Sequence, residues 1–279
     1  MKHKKFGTTG HDVSVIGQGT WYIDHGDRRQ AVDALRRGID LGMTHIDTAE
    51  MYGEAELVIA EAVAGCRDET YLVSKVLPSN ASRRGTIAAC ERSLARLKTD
   101  RLDCYLLHWR GGVPLAETVA AFEQLVSAGK IRSWGVSNFD ADDLDELLEV
   151  AGEGKIACDQ VLYHLQERAI EHAVIPWCAK HGVAVVAYSP FGHNDFPRPN
   201  SKGGEALQTI AKRHGASARQ IALAYLAREP HVFAIPKASS AEHAAENAAA
   251  GDLALSAEDI AALDRAFPRG PKPRSLPML

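Results

Sequence analysis

Eight times along this chain, a short and nearly unbroken apolar run is followed by a polar or glycine-containing turn and then by helically spaced residues. The runs are Ile16–Gly19, Met43–Asp47, Tyr71–Val76, Asp103–His108, Ile131–Ser137, Cys158–Leu162, Val183–Ser189 and Val232–Pro236. A strand with one wet face alternates apolar and polar residues, whereas a strand covered on both faces need not. These runs therefore read as parallel strands, each joined to the next by a helix. The joining segments carry the helical period: Val32, Leu35 and Ile39 step by three and four, as do Ile87, Cys90, Leu94 and Leu97. Gly129 and Gly182 stand just ahead of strands, where helices end. Eight such units in 279 residues predict an α/β fold, a (β/α)8 TIM barrel, which typically takes about 250 residues.

Length alone also admits two small domains. No linker, low-complexity tract or repeat of roughly 20–50 residues divides the chain, so residues 1–279 are expected to form a single barrel domain. Ahead of the barrel, residues 4–15 hold a Thr8-Thr9-Gly10 turn between short flanks, which predicts an N-terminal β-hairpin. Phe191–Gly204, rich in Gly and Pro, is the longest irregular internal piece and has the length of a functional lid. The proline-spaced tail Pro268–Leu279 is not expected to be helical.

Charge excludes some classes of function. Lys+Arg 32 against Asp+Glu 36 leaves a net charge of -4 with the basic residues scattered, so neither nucleic acid nor an anionic membrane is expected as a partner. The basic start Met1–Lys5 has no apolar segment behind it, and no run is long enough to span a bilayer. The five cysteines form no C-x-x-C pair and read as free thiols in a reducing compartment. The expectation is a cytoplasmic monomer. No H-E-x-x-H, C-x-x-C or carboxylate cluster predicts a metal site.

Chemistry is concentrated where the strands end. Asp47 closes the second run, Lys75 the third and His108 the fourth, while Tyr52 follows Asp47 on the way into a helix. Taken singly, Asp47 is a strand cap and Tyr52 a packed ring. Together they would share the rim at which barrels bind ligands. A phenol with an unperturbed pKa of about 10 is a poor acid near neutrality. A lysine ammonium beside Tyr52 would ease its ionisation, Asp47 would hold that lysine charged, and a neutral His108 would orient a substrate oxygen. Such a set can protonate a carbonyl oxygen while a hydride reaches its carbon.

At this point the chain resembles the aldo-keto reductase family over essentially its whole length. The resemblance is carried by Gly19-Thr20-Trp21, Ile46-Asp47-Thr48-Ala49 with Tyr52 and Gly53, Ser74-Lys75 and Leu107-His108-Trp109. It continues in Gly135-Val136-Ser137-Asn138-Phe139, Gln160, Tyr188-Ser189-Pro190 and Ile235-Pro236-Lys237 with Asn247. It implies a (β/α)8 barrel binding extended NADPH, with Asp47, Tyr52, Lys75 and His108 as a catalytic tetrad and Tyr52 as general acid in reduction. It also implies that Ser137, Asn138 and Gln160 hold the nicotinamide carboxamide, that Tyr188 stacks on the nicotinamide, and that Ser189 and Lys237 meet phosphates. Gly19, Thr20, Asp47, His243 and Asn247 fall among the family's other cofactor positions. Gly17-Gln18-Gly19-Thr20 begins like a Rossmann fingerprint but lacks its third glycine.

Three departures matter. Ala238 and His243 stand where the family often has a serine and an arginine for the adenosine 2′-phosphate, so NADPH is expected with NADH as a possible second cofactor. Asp159 replaces a usual asparagine, with altered hydrogen bonding near the carboxamide expected. The segment after Trp109 is brief, which implies a low wall around an apolar pocket lined by Trp21, Met51 and Trp109. The expected substrates are small aldehydes, as in the bacterial methylglyoxal-type reductases the chain resembles, and some ketones. Two other classes compete: a Schiff-base lyase using Lys75, and a binding module that senses NADPH on the same fold.

Overall fold

The computed structural model describes residues 1–279. Eight parallel strands run in chain order around one sheet: β3 (Gln18–Gly19), β4 (His45–Asp47), β5 (Tyr71–Val76), β6 (Leu102–Leu107), β7 (Ile131–Ser137), β8 (Ile156–Leu162), β9 (Ala184–Tyr188) and β10 (Val232–Ala234). A parallel bridge between Ile16 and Ala234 joins the last strand to the first. The Gly17 N–H donates to the Ala234 carbonyl at 2.8 Å and the Gly19 N–H to the Pro236 carbonyl at 3.1 Å, so the sheet closes into a barrel. All eight predicted strands are present, with ends displaced by a few residues. β5, β6 and β8 are buried at every position, as strands covered on both faces are.

The helices that cover the barrel are α1 (Arg28–Asp40), α2 (Ala55–Ala62), α3 (Arg83–Leu97), α4 (Leu115–Ser127), α5 (Ala141–Ala151), α6 (Val174–His181), α7 (Lys202–His214), α8 (Ala218–Leu226), α9 (Ala241–Ala249) and α10 (Ala257–Ala266). Their starts are specified locally. Asp27, Ser82, Asp140, Ser201, Ser217, Ser240 and Ser256 each accept a first-turn backbone N–H on the side-chain oxygen. None of the helices is long and apolar enough to cross a membrane. All five thiols are free, and four are buried.

The N-terminal hairpin forms as β1 (His3–Lys5) against antiparallel β2 (Asp12–Ser14), with a 3-10 turn at Gly7–Thr9 between them. Its tip carries Phe6 into the barrel, where the ring packs on Tyr71 at 4.9 Å, Phe233 at 5.1 Å and His45 at 5.5 Å between centroids. Gly7 lets this happen: it holds φ +53°, and a Cβ there would lie 2.0 Å from the Ala157 carbonyl oxygen. Burial pushes the His45 imidazole down to about 3, with Lys75 adding to the effect, so the ring enters this apolar layer neutral. The segment after β9 stays irregular only to Ser201, because α7 begins at Lys202. The tail after α10 contains no helix, and the Leu279 N–H donates to the Tyr188 hydroxyl at 3.4 Å.

Candidate active site

Strand alternation delivers the polar residues to one mouth. The bore-facing series run Tyr71, Val73, Lys75; Cys104, Leu106, His108; Cys158, Gln160; Val186, Tyr188; and Phe233, Ile235, Lys237. The apolar members of these series pack into one cluster with Phe6. Every second residue shares a face, so each series is apolar below and ends in a polar group at the carboxyl rim. Register sets their relative heights: Asp47 pairs with Val73, and Lys75 one step higher pairs with Leu106.

Lys75 is fully buried, and its ammonium donates to Asp47 Oδ1 at 2.5 Å and to the Thr48 carbonyl at 2.9 Å. Asp47 Oδ2 accepts from Gln160 Nε2 at 2.7 Å. Burial opposes the lysine's charge, but Asp47 and the Tyr52 oxygen outweigh it and leave the Lys75 pKa raised. Burial likewise pushes Asp47 upward against Lys75 and Gln160. With both carboxylate oxygens occupied as acceptors, the pair is an ion pair. The Lys75 ammonium lies 5.0 Å from the centre of the Tyr52 ring. The Tyr52 hydroxyl is 3.4 Å from His108 Nε2. Burial and the Lys75 charge drive His108 down to about 2, so its imidazole is neutral. The expectation that Lys75 lowers the phenol's pKa needs one correction. Lys75 does pull Tyr52 down, but burial pushes it up more strongly, and the net direction is upward.

Two adjoining cavities meet at these residues. The larger, about 210 Å³, is lined by Gly19, Thr20, Asp47, Ser189 and Lys237 among others. The smaller, about 140 Å³, is lined by Met51, His108, Trp109, Ser137 and Asn138. Trp21, Tyr52, Gln160 and Tyr188 border both. Five non-glycine residues have positive φ, and three of them, Tyr22 (60°), Asn138 (61°) and Ser189 (47°), line these cavities. Backbone held in such conformations clusters at functional sites. Asn138 is fixed from three sides: its Nδ2 donates to the His108 carbonyl at 3.1 Å and to Ser137 Oγ at 3.2 Å, and its Oδ1 accepts from the Tyr188 hydroxyl at 2.9 Å.

Some expected residues spend their polar groups on the protein, and others stand off the two cavities. Thr20 and Ser137 are buried, with hydroxyls donating to the Asp47 carbonyl at 2.8 Å and the Gln160 carbonyl at 2.7 Å, so each fastens backbone. His243 is exposed in the first turn of α9 and Asn247 is buried in the same helix; neither borders the two cavities. Asp159 turns away from the bore: its Oδ1 accepts the Phe139 N–H at 3.5 Å and its Oδ2 has no partner. Its contact is with the backbone of the residue after Asn138. The wall after Trp109 is indeed made of few residues, but Leu279 of the tail adds a side to the smaller cavity. Tyr22, Phe191 and His193 also line the larger cavity, and His193 stacks over Trp21 at 6.0 Å. Only the glycine-rich composition around Phe191 and His193 signalled that loop, and nothing in the sequence signalled Leu279. No group of three or more His, Cys, Asp or Glu is assembled to hold a metal ion.

Comparison with known proteins agrees with this geometry. The model of the Aldo/keto reductase family matches residues 15–267. Methylglyoxal reductase YeaE of Escherichia coli (strain K12) is 48% identical over 263 residues, spanning 92% of this chain and 93% of that protein. Glyoxal reductase of Bacillus subtilis (strain 168) is 34% identical, spanning 96% of this chain and 95% of that protein. The crystal structure of an aldo/keto reductase from Klebsiella pneumoniae, in complex with NADP and acetate, superposes with a TM-score of 0.93 at 45% identity and covers 100% of both chains. The chain belongs to the aldo/keto reductase family.

Proposed function

We propose that this protein is an NADPH-dependent reductase of small aldehydes, methylglyoxal among them, acting as a monomeric one-domain enzyme of the cytoplasm. The observation that carries the reading is the place of Tyr52: it borders both cavities, with the Lys75 ammonium 5.0 Å from its ring and His108 Nε2 3.4 Å from its hydroxyl. The larger cavity suits a dinucleotide. It offers the aromatic ring of Tyr188, the amide of Gln160 and the Lys237 cation, with Asn138 holding the Tyr188 hydroxyl from the adjoining cavity. The smaller cavity beside it sets His108 against Met51, Trp109 and Leu279, a mostly apolar recess with a few polar groups that favours small carbonyl compounds.

When bound, the reduced nicotinamide supplies a hydride. The chain's own residues do the rest. Neutral His108 orients the carbonyl oxygen towards Tyr52, and the Tyr52 hydroxyl gives that oxygen its proton. The Lys75 ammonium then stabilises the phenolate left behind, and Asp47 keeps the ammonium charged and fixed. The charged state of Lys75 argues against a Schiff-base lyase, which needs a neutral amine.

The test is a substrate panel of methylglyoxal, glyoxal, benzaldehyde and a bulky ketone with NADPH and with NADH, followed by loss of reduced-nicotinamide absorbance. Turnover of the small aldehydes with NADPH is expected. No oxidation with any aldehyde, or a borohydride-trapped adduct on Lys75, would overturn the reading.

A further inference from the structure

The larger cavity presents one lysine or arginine, Lys237. Position 243, where a second would serve a 2′-phosphate, holds an exposed histidine. Phe191 also lines this cavity and meets Phe196 edge to face at 5.8 Å and 86°. Over both rings lies the Arg219 guanidinium, 5.6 Å from the Phe191 centre and 5.1 Å from that of Phe196. Arg219 is in the first turn of α8. That turn is tied to the helix bearing His243: Ser217 Oγ donates to Glu246 Oε1 at 2.5 Å and Gln220 Nε2 to the Glu246 carbonyl at 2.9 Å. Arg219 therefore stands where α8 meets α9 and the loop after β9, behind the Phe191 ring that lines the cavity.

Its hydrogen-bonding state separates it from the other stacked arginines. Arg168 and Arg228 also lie over an aromatic ring, that of Tyr225, and both hold the Glu171 carboxylate. Arg219 is exposed, has no carboxylate within ion-pairing distance and donates no hydrogen bond from its side chain to the protein. The rings fix the plane of the guanidinium while all its N–H groups remain free, an arrangement suited to an anion in the groove.

We propose that Arg219 is a specificity-determining residue for the 2′-phosphate of the dinucleotide, supplying from α8 the guanidinium that position 243 lacks. The inference rests on the cofactor reading above. It is tested with cofactor fragments, by calorimetric titration of adenosine 2′,5′-bisphosphate and of 5′-AMP into the wild type, Arg219→Met and Arg219→Lys. Methionine keeps an unbranched apolar chain against the two rings and removes the charge. Losing a charge-assisted contact should weaken the bisphosphate by roughly ten- to a hundredfold and leave 5′-AMP within about twofold. Arg219→Lys should recover part of the loss, and the salt dependence of bisphosphate binding should become shallower in Arg219→Met. Equal weakening of both fragments would overturn the proposal by showing that Arg219 only fastens the loop. Unchanged bisphosphate binding would overturn it by showing that the guanidinium does not reach the phosphate. A wild type that binds NADPH while the variant is unaffected refutes this inference alone. A wild type that binds neither NADPH nor the bisphosphate refutes the cofactor reading with it.

Discussion

Lys75→Met separates the two tasks assigned to one buried charge. The first is electrostatic. With the ammonium 5.0 Å from the Tyr52 ring, a phenolate there is stabilised by about 3 kcal/mol at an effective dielectric constant of about 20. Removing the charge lowers the phenolate population by roughly 10²-fold, and kcat should fall by at least that factor where proton donation limits. Tyr52 is already pushed upward by burial, so losing its one opposing cation moves it further from useful acidity. The second task is structural. Asp47 Oδ1 loses its 2.5 Å partner in a fully buried site and keeps only Gln160 on Oδ2. Breaking a buried pair costs about 3–5 kcal/mol, a large share of the ~5–15 kcal/mol by which domains are stable. The unpaired carboxyl would titrate above its ordinary range, so the variant should lose stability as pH rises through that interval, where the unfolded chain gives up its proton first. The assays are urea denaturation and a pH–rate profile with methylglyoxal and NADPH. Asp47→Asn added to Lys75→Met should restore stability without restoring rate. A pH–rate profile with the wild-type proton-donor limb, or recovery of rate in the double variant, would refute the electrostatic account.

Tyr52→Phe should lower kcat by ~10²–10⁴-fold, the usual worth of a general acid, with the NADPH dissociation constant nearly unchanged. Retention of most of the wild-type kcat in a steady-state assay would rule out the phenol as proton donor. Gly7→Ala should destabilise by ~1–3 kcal/mol or more, because the added Cβ meets the Ala157 carbonyl oxygen at 2.0 Å and the backbone sits at φ +53°. The hairpin closes the end of the barrel away from the site, so the KM for aldehyde should not move; an unchanged melting temperature would refute the packing argument.

The barrel was legible because its strands are covered on both faces, which leaves a run such as Cys104–Leu107 apolar throughout. The residues Asp47, Lys75 and His108 were legible because polarity at the end of such a run is costly and calls for an explanation. Features set by contacts between distant segments were not. Leu279 follows a proline-spaced tail with no periodic signal, yet it lines the smaller cavity. Phe6 reads as one apolar residue in a hairpin, and only the closed barrel reveals it as the plug under Tyr71 and Phe233. Thr20 and Ser137 lie in family motifs, but the sequence could not show that their hydroxyls are spent on backbone carbonyls. The net direction of the Tyr52 shift was missed for a related reason. Spacing reveals a neighbouring lysine but not the depth of burial that opposes it.

Asp159 shows the same limit, and it yields a prediction whose sign runs against the usual carboxylate. It is fully buried on the outer face of β8, with one oxygen accepting a long bond from the Phe139 N–H and the other without a partner. Burial pushes its pKa well above the ordinary range, and the nearby Asp143 and Asp140 charges add to the effect. In the interval between its ordinary and its raised pKa, the folded chain holds a proton that the unfolded chain has released. Stability from this group is therefore greatest in acid and falls as pH rises. An asparagine in its place would present an amide of the same shape with no charge to desolvate. Asp159→Asn should accordingly leave stability nearly unchanged in acid, where both states of the wild type are protonated. Near pH 7–8 it should add stability, because the wild type must there either keep a proton that the unfolded chain releases or bury a charge. Urea denaturation of wild type and variant across this range measures the difference directly. Because Phe139 follows the strained Asn138, the substitution should also leave NADPH binding intact if the Phe139 N–H keeps an acceptor. A stability gain independent of pH would mean that Asp159 is ionised in the fold, and that an acid able to stay neutral is not what holds the turn beside Asn138.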